Sequence, residues 1–243
     1  MANKKPKTPP PPRRGVQAPQ QRTDEITNRQ RVILYGAGLS GIVILVVVIA
    51  LFAIGGGNSN GSTNDKNLAG LFTSAGCTFK TVNASVPGGQ THVNSLTAKL
   101  PWNTDPPSNG QHYPLWAVWG FYTDPINPRQ VVHNEEHGGV IYWWGPKVPA
   151  ATVQRLRNLY QEQATGTFGT PYANLGSKVA ITAWTGNPAK YTKNGYFGQG
   201  HIGVCPTFTD ATEKAFRAFR DAYRGKGPEG IPLDLDKPGL GPQ

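Results

Sequence analysis

His133-Asn134-Glu135-Glu136-His137-Gly138-Gly139-Val140-Ile141-Tyr142-Trp143-Trp144 is the stretch on which the fold turns. Its first five residues contain H-x-x-E-H, the order of an inverted zinc-protease motif in which two imidazoles bind the metal and the Glu acts as base. That chemistry needs both histidines one turn apart on a sustained helix. Here Gly138-Gly139 follows at once, and the β-branched and aromatic run after it has strand composition. The pentapeptide therefore reads as a turn, or a single helical turn, feeding a strand over 139–144. Two imidazoles at H-x3-H spacing still reach one ion from such a turn, whereas protease chemistry does not follow.

Working outward, the pattern predicts a short helix over 67–74, strands over 77–82 and 117–122, a helix over 150–163 and a strand over 178–185. A last helix follows Asp210 and Glu213, which have capping-box spacing, with Ala215, Phe216, Phe219, Ala222 and Tyr223 on one face. This succession predicts an α+β domain: a small mixed sheet, two main helices and long Pro/Gly-rich loops. The longest loop region, 101–128, is the natural lodging for a site.

The chain has 243 residues, 24 Lys+Arg against 14 Asp+Glu and a net charge of +10. Eight of the basic residues (Lys4, Lys5, Lys7, Arg13, Arg14, Arg22, Arg29, Arg31) and only Asp24 and Glu25 lie in residues 1–31, so this Pro-rich segment carries +6 and the remainder +4. Its composition is that of a disordered or polyproline-like tail. Residues 32–54, VILYGAGLSGIVILVVVIALFAI, contain no charge, and as a helix extend about 34 Å, enough to cross a hydrocarbon core of about 30 Å. The mean hydropathy of −0.41 leaves too few apolar residues for many spans. A cleaved signal peptide fits less well than an uncleaved anchor, because the leader is long and no A-x-A site follows. The positive-inside bias then places the N-terminus in the cytoplasm. Beyond the anchor, 55–65 reads as a flexible linker, 66–224 as the extracytoplasmic domain and 225–243 as a Gly/Pro-rich tail without regular structure. Nucleic-acid binding has no support beyond net charge: no basic stripe, finger or recognition-helix pattern is visible.

Two cysteines, Cys77 and Cys205, flank most of the domain. Outside the cytoplasm they are expected to form one disulfide, worth on the order of 4–5 kcal/mol in the chain-entropy account. No C-x-x-C pair suggests redox or thiolate-metal chemistry.

All five histidines, His92, His112, His133, His137 and His201, lie past the anchor. The residues Pro106-Pro107-Ser108-Asn109-Gly110-Gln111-His112, then Trp119-Gly120-x-Tyr122, then Val132-His133-x-x-Glu136-His137-Gly138 resemble the signature of the bacterial domain of unknown function 3105 family, P-P-x-S-G-x-H, W-G-x-Y and V-H-x-L-E-H-G. The likeness covers roughly 77–224. It departs at Ser108-Asn109-Gly110, with one residue more between Ser and Gly, and at Glu135, where a Leu is usual. The resemblance implies an anchored or exported extracytoplasmic domain whose motif positions include His112, His133, Glu136 and His137.

Three or four imidazoles with one carboxylate suit Zn(II) or Cu(II), and these loops supply too few acidic groups for an all-oxygen Ca or Mg cage. Met1 is the only methionine, which argues against a thioether Cu(I) site. The expectation is one transition ion on His112, His133 and His137, with His92 as a further ligand and Glu136 as either a fourth ligand or an outer partner. His201 is expected to be a structural or surface residue. The rival reading is a metal-free envelope interaction or scaffold module, its partner an envelope protein or ligand, in which the same polar groups lock loops together. A metal-dependent hydrolase ranks third, so the balance leans away from an enzyme.

Overall fold

The computed structural model describes residues 61–84, 92–187, 189 and 198–242. The expected tail, membrane span and most of the linker lie outside these residues. Among the described residues no helix is long and apolar enough to cross a membrane.

The described part is α+β, with four α-helices and one five-stranded mixed sheet. Along the chain run α1 (Gly61–Ser74), β1 (Thr78–Asn83), α2 (Pro128–Glu136), β2 (Val140–Trp144), α3 (Ala150–Glu162), β3 (Thr167–Pro171), β4 (Val179–Thr185), β5 (Gln199–Cys205) and α4 (Asp210–Tyr223). The strand order is β1-β5-β4-β2-β3. All neighbours are antiparallel except β2 and β3, which are parallel and joined through α3, as a parallel pair requires a crossover.

Every residue of β2 is buried, because both faces of the sheet are covered. Val140, Tyr142 and Trp144 point into a core shared with Phe72 of α1, Leu156 and Leu159 of α3, and Phe216 and Phe219 of α4. Ile141 and Trp143 point the other way, into a second core with Trp119, Val131 and Phe168. Alternate residues of a strand face opposite sides, so this one run anchors α1, α3 and α4 on one face and α2 with its Pro-rich loop on the other. Cys77 and Cys205 form a disulfide across the β1–β5 edge, with a sequence separation of 128.

The helix at 150–162, the strands β1, β2 and β4 and the final helix lie where the sequence pattern puts them. Five features differ. The helix expected over 67–74 begins at Gly61, six residues earlier and inside the segment expected to be linker. The stretch 117–122 is not a strand: Asn134 takes both backbone groups of Ala117, accepting from its N–H at 3.0 Å and donating to its carbonyl at 2.9 Å. Its pairing with the sheet is a single bridge of Phe121 to Gly169, made by the Tyr122 N–H to the Gly169 carbonyl at 2.8 Å and the Gly169 N–H to the Gly120 carbonyl at 3.0 Å. Strands β3 and β5 escape the periodicity because glycines interrupt them. A Cβ on Gly169 would stand 2.3 Å from the Phe121 ring, and one on Gly203 2.1 Å from Phe72; these glycines admit close-packed rings. The single turn expected around His133 is a nine-residue helix, α2, with Pro128 in its first turn and Asn127 as its cap. Finally, α4 is capped by the Thr209 hydroxyl, which accepts from the Thr212 N–H, rather than by Asp210. Beyond α4, residues 225–242 carry a 3₁₀ turn at Leu233–Leu235 and place Asp236 fully buried.

Candidate metal centre

The site assembles where α2 ends. His133 sits in the last turn of α2 and His137 is its C-cap residue; four residues apart, they project from one side of the helix. Gly138 then takes φ +109, a left-handed conformation that ends the helix and turns the chain into β2. A Cβ on Gly138 would meet the backbone of Gly225 and Gly227 at about 3 Å. The C-terminal segment crosses here. The Gly225 N–H donates to the Gly138 carbonyl at 2.8 Å and the Glu229 N–H to the Glu136 carbonyl at 3.4 Å, which brings Glu229 beside the histidines. His112 arrives from the Pro-rich loop, and its backbone forms a bridge with that of His92.

The orientation of the rings follows from their outer nitrogens. His112 Nδ1 lies 2.8 Å from the Gly110 carbonyl oxygen and His133 Nδ1 lies 2.9 Å from that of Tyr113. A carbonyl oxygen only accepts, so both Nδ1 atoms carry the proton and both Nε2 atoms face inward. His137 repeats the arrangement with a carboxylate, its Nδ1 3.5 Å from Asp236 Oδ1. Backbone carbonyls and carboxylates behind the distal nitrogen are the usual means by which proteins orient metal-binding imidazoles.

Two groups of metal-capable side chains result. One ligand atom each from His92, His112, His133 and Glu136 lie within 4.8 Å of one another, and so do atoms of His133, His137 and Glu229. Either group is able to hold a metal ion. Glu136 Oε2 is 2.9 Å from His112 Nε2 and 3.5 Å from His92 Nε2, and His137 Nε2 is 3.4 Å from Glu229 Oε2. The His92 and His133 rings stack at 5.0 Å, and Trp116 packs against both His133 and His137. His112, His133, Glu136 and Asp236 are buried, while the side chains of His92 and Glu229 are 41% and 23% exposed, so the centre opens to solvent on their side.

Charge is distributed to suit a cation. Burial disfavours ionisation of Glu136, but hydrogen bonds from His112 and His92 outweigh it and hold the carboxyl well below its usual range. Burial, reinforced by the neighbouring His112, lowers His133 to about 3, leaving it neutral near pH 7 with an Nε2 lone pair available. The hydrogen bond to Glu136 raises His92 despite partial burial. Glu229 is raised, by burial first and then by the Glu136 charge.

Of the residues singled out in the sequence, His92, His112, His133 and Glu136 form one group, and His137 belongs beside them with His133 and Glu229. His201 stands apart. It is buried in the sheet, Nδ1 3.0 Å from the Thr81 hydroxyl and Nε2 2.8 Å from that of Thr185, and stacks on Tyr223 at 3.9 Å. Glu135, next to two centre residues, faces the protein interior instead. It is fully buried, and burial pushes its carboxyl well above the usual range despite a hydrogen bond from the Thr182 hydroxyl. Glu229 and Asp236 carried no signal in the sequence: they lie in a Gly/Pro-punctuated segment without a metal-ligand spacing.

No curated protein and no solved structure matches this chain. A family model described as a protein of unknown function, DUF3105, matches residues 92–232, a span that includes every imidazole and carboxylate of the two groups and stops short of Asp236. Since that match covers more than half of the chain, the protein belongs to the DUF3105 family.

Proposed function

We propose that this protein is a single-pass membrane-anchored, extracytoplasmic metal-binding protein whose domain holds a transition ion, Zn(II) or Cu(II), on His92, His112, His133 and Glu136. The observation that carries the reading is the pair of tethered rings: the Nδ1–H groups of His112 and His133 are spent on the Gly110 and Tyr113 carbonyls, so both Nε2 lone pairs are left for an ion, that of His112 at 2.9 Å from Glu136 Oε2. Three imidazoles and one carboxylate satisfy a tetrahedral ion. The anchor rests on residues 32–54 and on the basic segment before them, which orients the chain with its domain outside.

Elemental analysis of the full chain purified in mild detergent tests the ion. The wild type, stripped with chelator and reloaded with Zn or Cu, should retain stoichiometric metal, and His112→Ala/His133→Ala should not. A metal-free wild type after reloading would remove the reading and leave the scaffold module in its place. For the anchor, the chain should stay with membranes through an alkaline wash, and protease added outside should reach only the domain.

A further inference from the structure

The centre offers more ligands than one ion uses. Four imidazoles (His92, His112, His133, His137) and two carboxylates (Glu136, Glu229) lie in two overlapping groups that share only His133. His133 has one nitrogen to give, because its Nδ1 is held by the Tyr113 carbonyl, and a single imidazole nitrogen serves one ion. Assigning it to His137 and Glu229 divides the six ligands into two equal sets. We propose that the centre takes two divalent transition ions side by side, one on His92, His112 and Glu136, the other on His133, His137 and Glu229. The proposal rests on the metal-binding reading above; it adds a second ion position and, with both positions filled, moves His133 from the first ion to the second.

Each set then has two imidazoles and one carboxylate, a donor set that binds Zn(II) or Fe(II) and leaves coordination positions open. Two neighbouring dications repel, and the site supplies the opposing charge: Glu136, Glu229 and Asp236 are three carboxylates around two ions and four neutral imidazoles. Asp236 is the independent sign that the second position is built for a cation. It is fully buried, its Oδ1 faces His137 Nδ1 at 3.5 Å, and its Oδ2 has no hydrogen-bond partner among the described residues. There it acts as a positioning residue, holding His137 as the Gly110 and Tyr113 carbonyls hold His112 and His133 and turning its Nε2 toward Glu229. The half-exposed His92 and the partly exposed Glu229 mark the open side, where the remaining positions of both ions meet solvent and a small oxygen ligand can bridge them.

The test counts ions. Full-length protein in detergent is stripped with chelator, reloaded with excess Zn(II), dialysed and assayed for zinc per chain, with circular dichroism as the check on folding. The wild type should bind two, and Glu229→Ala should bind one. Asp236→Asn should weaken the second binding step by about 10–100-fold while leaving the first in place. With Cu(II), the spin-coupling signature of paired ions should appear at two equivalents in the wild type and vanish in Glu229→Ala. One ion in both wild type and Glu229→Ala overturns the second site and leaves the single-ion reading standing. Two ions in both overturns the ligand assignment, and none in the wild type overturns the metal-binding reading with it.

Discussion

His112 Nε2 and Glu136 Oε2 lie 2.9 Å apart with both side chains fully buried. Because His112 donates its Nδ1 proton to the Gly110 carbonyl, the neutral ring would set a lone pair against a carboxylate oxygen. A metal ion between them would satisfy both atoms. Glu136→Gln removes the negative half. Breaking such a buried pair costs about 3–5 kcal/mol, so the metal-free variant should unfold at distinctly lower denaturant. Its metal affinity should fall by about 100-fold or more, since the group lost is a ligand rather than an outer partner. Denaturant titration and competition with a chromophoric chelator measure the two effects.

Glu135 should respond in the opposite way. Burial pushes its carboxyl well above the usual range, so folding opposes an ionisation that the unfolded chain undergoes freely above pH about 4.5. A folded pKa raised above the unfolded one means stability present at low pH and lost as pH rises. Glu135→Leu removes that loss and the desolvated polar group with it. The variant should be more stable than the wild type by about 1–3 kcal/mol, with a larger gap at pH 8 than at pH 5. Equal gaps at the two pH values would show that the carboxyl is ionised where it sits.

His201 titrates in the acid range. Burial lowers it to about 4 in the folded protein, while the unfolded chain protonates near 6.5. Above pH 6.5 both states are neutral and nothing is at stake. Between 6.5 and 4 the unfolded state takes up the proton first, so stability should fall by on the order of 3 kcal/mol in all. Comparing chemical melts at pH 7 and 4.5 for the wild type and His201→Gln isolates this part, which the variant lacks.

Reducing the Cys77–Cys205 bridge, or replacing both residues by Ser, releases a loop with a sequence separation of 128 in the unfolded chain. The expected loss is about 2–5 kcal/mol, read as a lower melting temperature with reductant. The metal groups lie on residues other than the β1–β5 edge, so a folded double variant should keep its metal stoichiometry.

Gly227 tests how the C-terminal segment is seated. An added Cβ would stand 2.3 Å from the Glu136 carbonyl oxygen and 2.3 Å from the Gly138 amide nitrogen, both rigid backbone. Gly227→Ala should lift the segment that carries Glu229 off the end of α2, lowering metal stoichiometry or affinity more than Gly70→Ala, where the added Cβ meets nothing within 4 Å and the backbone is helical. Equal metal binding in the two variants would separate Glu229 from the centre.

The class of the domain, the places of β1, β2, β4, α3 and α4, and the pairing of the only two cysteines are legible in the order of residues alone. These follow from periodic burial and composition, which act over a few neighbouring residues. The sequence also marked His92, His112, His133, His137 and Glu136, because few side chains have metal-binding chemistry and these occur in a recognisable order. It was silent on β3 and β5, whose glycines are there to receive the Phe121 and Phe72 rings from distant segments, and on the length of α2, whose first turn is hidden in a Pro-rich stretch. That His137 turns toward Glu229 while Glu136 turns toward His112, and that Asp236 lies buried behind His137, emerges only from the folded arrangement. The reason is physical: which nitrogen of an imidazole faces a cation is set by the hydrogen bond at the other, and those partners come from loops and a C-terminal segment that meet the helix only once the chain is folded.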